Sequence, residues 1–313
     1  MVNIIKKYLI KSHICVNLLL DNINYVGEKM ISKELEKIII SKMDEKQIKV
    51  KNQKYLYKYI ELNIQLFSFL DIELLIERLI ENFEGIHINF ESLILYSYGE
   101  YSPTTGKILI SPKLFFGKNK KYKDSVIFHE LDHCACSPIS VKKEFKNYIN
   151  KRKEKYKKFF YIIPNFILKY FFLKTIYSGP ISGIVEYTGE NSKKIKYGTN
   201  WENCLNEGIT SFKQEIYSKK LNIDFHYNQD FYEGGRMGAK CVGDIIGIEK
   251  LIYLHFNNNI AEIEKSFFQK TGLELEYLIL KCLEYDKSKS KKKRKKLENI
   301  IIEIQKKVQK TTK

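Results

Sequence analysis

The six cysteines of this 313-residue chain include no C-x-x-C pair. Cys15, Cys134, Cys136, Cys204, Cys241 and Cys282 also lack the spacing of a disulfide framework, which points to a reducing compartment. Arginine is scarce beside an abundance of lysine, so each arginine marks a place where a planar donor fork matters. No internal repeat and no recognised nucleic-acid module is present. Uninterrupted apolar runs of membrane-spanning length are missing too. The longest candidate, 159–177, is rich in Phe, Ile and Tyr but carries Pro164, Asn165, Lys169 and Lys174. Near the start, Lys6-Lys7 precede an apolar stretch that Lys11 and His13 break, with no small-residue cleavage site, so no signal peptide is expected. These absences lead to the expectation of a cytoplasmic protein, with membrane association as a second option.

Histidine is scarce as well, at six residues, yet two of them fall in His129-Glu130-Leu131-Asp132-His133. This is the H-E-x-x-H pattern. On a helix, positions i and i+4 share one face, so two imidazoles can grip one Zn²⁺ while the intervening glutamate reaches a metal-bound water. The local sequence predicts a helix over 124–137, with Asp124-Ser125 as its cap and Pro138 discouraging continuation. Ile127, Leu131 and Cys134 form an apolar stripe, and Val126, His129, Glu130, His133 and Ser137 share the other side, toward a cleft. Cys134 and Cys136 therefore read as small apolar fillers. The motif implies a zinc hydrolase, and most directly a peptidase.

Two histidines do not hold a catalytic zinc; a third protein ligand is required, leaving the fourth position to water. Trp201, Leu205, Ile209, Phe212 and Ile216 predict a second amphipathic helix whose other face carries Asn203, Glu207, Thr210, Ser211 and Gln214. Glu207 is the first candidate ligand, with His226, Asp224 and Glu186 as rivals. Asn206-Glu207-Gly208-Ile209-Thr210 resembles the Asn-Glu-x-x-Ser/Thr segment that supplies the glutamate ligand in thermolysin-like gluzincin metallopeptidases. The resemblance covers two short helices. It implies that His129, His133 and Glu207 bind zinc and that Glu130 is the general base. It departs from the pattern in a longer stretch between His133 and Glu207, and in Ser211, where the family carries an Asp that orients a zinc-binding histidine. Gly208 is a poor helix-interior residue, with close helix approach as its expected role. The family usually adds a Tyr or His that stabilises the oxyanion; the candidates here are Tyr232, then His226, with Arg236 beside them.

The formal charge of +17 is more than a peptidase needs. Much of it lies in the Lys-rich stretch 142–158 and in the tail 287–296, which Leu297, Ile300, Ile301 and Ile304 continue as a terminal helix. The basic stretch followed by the aromatic segment makes 142–177 a candidate for contact with an anionic membrane, alongside the reading of that segment as core or cleft wall. Nucleic acid is not an expected partner; a peptide or protein substrate is. The competing reading is a non-catalytic basic protein that binds nucleic acid or membrane and carries a chance or degenerate H-E-x-x-H.

Elsewhere, helices are predicted over 32–43, 55–69, 72–82, 245–256, 260–270 and 273–284, and extended runs over 86–90, 93–98 and 107–111. The last is the expected strand along the upper edge of a zincin cleft. The expected fold is α+β and zincin-like: a small mixed sheet next to the motif helix, then a mainly helical C-terminal half. The corresponding regions are a helical N-terminal region (1–84), the sheet and zinc helix (85–137), a basic and aromatic insertion (138–200), a helical subdomain with the third ligand (201–286) and a basic tail helix (287–313).

Overall fold

The computed structural model describes residues 28–48, 50–88, 99–103, 105–117, 120–137, 177–178, 186–187, 200–221, 232–288 and 290–311. The expectations for 93–98, for the basic stretch 142–158, for nearly all of 159–177 and for Asp224 and His226 lie outside those residues. The chain divides after Ile48 into two compact units. In the first, α1 spans Glu28–Glu45, and Leu35, Ile39 and Met43, one turn apart on one face, are buried.

The second unit begins with α2 (Gln53–Leu66) and α3 (Ile72–Asn82). Asp71 caps α3 by accepting from Leu74 N at 3.0 Å. Leu75, Ile76, Leu79 and Ile80 then bury one face of the helix. Three short strands follow: β1 (Gly85–Ile88), β2 (Gly99–Ser102) and β3 (Lys107–Ile110). Their order is β1-β3-β2, with β1 parallel and β2 antiparallel to β3. On β3, Ile108 and Ile110 are buried while Lys107 and Leu109 are half-buried, the alternation of a strand packed on one side. The run 107–111 is thus the middle of the sheet and not the cleft edge. A three-stranded sheet gives its apolar, β-branched run to the position flanked on both sides. The strand beside the motif helix is β2.

After a single turn, α4 (Pro112–Phe115), capped by Ser111, comes α5 (Lys120–Cys136), which carries the motif. It starts four residues before the expected Asp124. Ser125 lies inside the helix and accepts from Gln214 instead of capping. The helix packs against α2, α3, β2 and β3, and against two helices of the C-terminal half. Its polar side therefore does not face a broad opening: His129, Glu130, Asp132 and His133 are all buried, as are Ile127, Phe128, Leu131 and Cys134. Arg78 of α3 donates to Ala135 O and Phe256 O, satisfying carbonyls at the C-terminal ends of two helices with one guanidinium.

A two-residue antiparallel pair, β4 (Tyr177–Ser178) with β5 (Glu186–Tyr187), precedes the helical half. This comprises α6 (Asn200–Leu221), α7 (Glu233–Ile246), α8 (Ile248–Phe256), α9 (Ile260–Thr271), α10 (Leu275–Ser288) and α11 (Lys291–Thr311). The helix expected over 245–256 is interrupted at Gly247, whose φ of 101° ends α7 and starts α8 at an angle. Trp201, Leu205, Ile209 and Phe212 of α6 enter one core with Val242, Ile263, Phe267, Leu278 and Ile279. Gly208 faces the backbone of Gly235: a Cβ there would lie 2.3 Å from Gly235 O, so α6 and α7 approach at backbone contact. Lys291 to Lys296 stay exposed at the start of α11, while Leu297 and Ile304 turn inward. The fold is α+β, a small sheet with a mostly helical remainder. Among the described residues no helix is long and apolar enough to cross a membrane.

Candidate metal centre

The helical repeat places His129 and His133 one turn apart on α5, with ring centroids 4.8 Å apart. Their Nε2 atoms approach to 3.1 Å. Helix α6 crosses α5 so that Glu207 Oε2 stands 3.1 Å from His129 Nε2 and 3.4 Å from His133 Nε2. Three ligand-type atoms from two helices thus all lie within 4.8 Å of one another. Among the described residues, Glu207 is the sequence candidate for a third ligand that meets both histidines. Glu186 lies in β5.

Each histidine is held from behind. His129 Nδ1 lies 3.1 Å from Gln214 Oε1. The Gln214 amide nitrogen donates to Ser125 O at 2.9 Å and to Ser125 Oγ at 2.6 Å. Those two bonds leave the Gln214 oxygen pointing at the imidazole, so His129 carries a proton on Nδ1 and its Nε2 is the atom that faces Glu207 and His133. His133 Nδ1 lies 3.5 Å from the Asn206 amide, whose Oδ1 accepts from His255 Nε2 at 2.9 Å. A group that orients His129 thus sits two turns after Glu207, at Gln214. Glu207 and Gln214 share a face at i, i+7, a spacing present in the sequence. Nothing in one helix alone says which residue across the crossing each will meet.

Glu130 sits beside the cluster and below the sheet edge. Tyr101 N, turned away from β3, donates to Glu130 Oε2 at 2.8 Å. The strand passes this close because of Gly99, where a Cβ would lie 2.6 Å from Val126 Cγ1 and 3.1 Å from Glu130 Oε1. Burial pushes the Glu130 carboxyl up, opposed by the two histidines and the Tyr101 N–H. At His129 burial disfavours charge, but the Glu207 hydrogen bond and the nearby carboxylates outweigh it and carry the pKa up to about 9. Burial would raise Glu207, yet both histidines hold it well below the usual carboxylate range.

Tyr232 immediately precedes α7, with its ring 6.3 Å from that of His129 and the two planes 15° apart. The Glu207 charge, burial and the Glu130 charge push its phenol well up, so it stays protonated and able to donate. Arg236 is directed elsewhere: its Nη1 pairs with Glu215 Oε2 at 2.5 Å.

On the neighbouring face of α5, Asp132 accepts from Lys213 Nζ and from Tyr59 OH, the latter at 2.6 Å. Cys136 Sγ lies 3.5 Å from His255 Nδ1. Both members of the Asp132–Lys213 pair are buried. Lys213 arrives from α6, so the pair ties the two ligand-bearing helices together. Sequence inspection did not single out Lys213 or His255, since one polar residue on an apolar helix face carries no sign of its partner. No family model matches the chain, nor does any curated protein or any solved structure.

Proposed function

We propose that the chain is a zinc-dependent metallopeptidase of the gluzincin type, with a zincin-like arrangement of sheet edge, motif helix and ligand helix. The observation that carries this reading is the convergence of His129 Nε2, His133 Nε2 and Glu207 Oε2 from two helices. The donor set fits zinc: two imidazoles and one carboxylate are a hydrolytic ligand set, and with Gln214 accepting at Nδ1, His129 would ligate through Nε2, zinc displacing the proton there. Zinc held there supplies Lewis acidity toward a carbonyl and brings water toward ionisation near neutral pH. Glu130 has the position and the raised pKa of a proton shuttle. It takes the proton of the attacking water and delivers it to the departing amine. Tyr101 N–H keeps one of its oxygens turned to the sheet edge and leaves the other for this work. Tyr232, protonated and over the cluster, donates to the oxyanion of the tetrahedral species. The edge of β2 gives an extended peptide a backbone to pair with.

Metal content and a mixed fluorogenic peptide library test the reading together. One equivalent of zinc is expected in the wild type and none in the His129→Ala/His133→Ala double variant. Glu130→Gln is expected to keep zinc and lose about 10²–10⁴-fold in turnover. Equal hydrolysis by wild type and Glu130→Gln, or zinc retained without the two histidines, refutes it.

A further inference from the structure

Tyr232 occupies the N-cap position of α7, with φ −125° and no side-chain hydrogen bond to the helix. That position is ordinarily filled by Ser, Thr, Asp or Asn, whose oxygen accepts from the exposed N–H groups of the first turn. A tyrosine ring cannot reach back to do this. The acceptor comes from another helix. Asp286 of α10 takes Gly234 N on Oδ1 at 2.7 Å and Gly235 N on Oδ2 at 2.9 Å. A carboxylate also suits the positive end of the helix dipole.

The surroundings make this cap a rigid mount. A Cβ on Gly234 would lie 2.5 Å from Cys282 O, and one on Gly235 2.8 Å from Cys204 O. The first turn of α7 is therefore wedged against the backbones of α10 and α6. Glu233, next to Tyr232, accepts from Tyr285 OH at 2.5 Å and pairs with Arg294 Nη1 at 3.0 Å. With the cap supplied from outside, the Tyr232 side chain is released to lie parallel to His129.

We propose that Asp286 is a positioning residue: it replaces the missing N-cap acceptor of α7 and thereby sets Tyr232 over the His129–Glu207 cluster. The role rests on the peptidase reading for its catalytic meaning, but the geometry it asserts can be measured separately. Incorporation of 3-fluorotyrosine at Tyr232 gives a single ¹⁹F signal that senses the stacked imidazole. In full-length zinc-loaded protein, Asp286→Ala is expected to move that signal away from its stacked position, toward that of a tyrosine clear of the imidazole. Asp286→Asn, with one acceptor oxygen for two N–H groups, should give an intermediate shift, and it carries the test if the alanine variant does not fold. Zinc stoichiometry should stay at one throughout. A signal unmoved by either substitution overturns the proposal.

Hydrolysis provides the second arm. Asp286→Ala should lower kcat about tenfold or more with a smaller change in KM, as expected for a displaced transition-state donor. In a Tyr232→Phe background it should cost nothing further, because the group it positions is gone. Equal losses in both backgrounds make Asp286 a structural cap only and overturn the proposal. Wild-type protein that binds zinc but cleaves no peptide sinks the peptidase reading, and the ¹⁹F result then decides the Asp286 proposal alone.

Discussion

On one face of α5 His129 and His133 meet Glu207 of α6, and on the face next to it Asp132 and Cys136 meet His255 of α8; each group brings three ligand-type atoms within 4.8 Å. The spacing is alike, yet the two groups differ in donor set and in what already neutralises them. At Asp132 the positive charge is built in, as Lys213 Nζ, and Tyr59 OH fills a further acceptor position. Burial drives His255 down to about 3 and Cys136 up to about 12, so both are neutral at physiological pH. In the first group Glu207 keeps about a quarter of its side chain exposed, and Gln214 Oε1 behind His129 Nδ1 turns the Nε2 of that ring toward the cluster. Proximity of ligating atoms is therefore a weak criterion. Orientation by neighbouring residues, and whether a lysine already neutralises the carboxylate, separate the proposed metal centre from the Asp132 cluster.

The largest expected effect strikes the second cluster. Lys213→Met leaves Asp132 buried without its cation and should destabilise the fold by about 3–5 kcal/mol in urea unfolding. Adding Asp132→Leu should recover most of that loss, because the pair repays little beyond its own desolvation. A wild-type protein with two equivalents of zinc would break the comparison outright.

Acid sharpens it. Unfolded His255 gains a proton below about pH 6.5, whereas the folded residue resists until about 3. Between those values the unfolded chain binds more protons, so stability should fall as pH falls, by at most about 1.4 kcal/mol per unit. His255→Gln should flatten that slope. Burial would raise Asp132, but Lys213 outweighs it and lowers its folded pKa, so its contribution is kept down to about pH 4 and lost as pH falls further.

The smallest effect belongs to the metal side. Gln214→Leu removes the acceptor behind His129 and should weaken zinc binding about 10–100-fold by competition with a chelator, with a smaller loss of urea stability than Lys213→Met, from the two Ser125 hydrogen bonds that go with it. A similar weakening on replacing Ser211 would return the orienting role to the position where the family resemblance puts it.

Much of this architecture is readable along the chain. The 3.6-residue period marks α3 and α6, and Asp71 marks the start of α3. The pentapeptide 129–133 names two candidate metal ligands and a candidate base, and the Asn206-Glu207 segment names a third candidate ligand by resemblance. The motif helix was harder, because burial on nearly all sides erases the amphipathic signal that would define its ends and its open face. Gly247 splits a run of apolar residues that reads as one helix. The start of α7 is equally opaque, since its cap is on α10.

The sequence by itself determined which side chains can bind a metal and which face of each helix they occupy, because helical spacing is a local property of the backbone. Tertiary structure alone decided that Gln214 stands behind His129, that Lys213 neutralises Asp132, that β2 meets Glu130 and that Asp286 holds the turn carrying Tyr232. Each of those is a polar contact between elements far apart in the chain. Its strength depends on a crossing geometry set by the whole core, and a one-dimensional pattern carries no record of it.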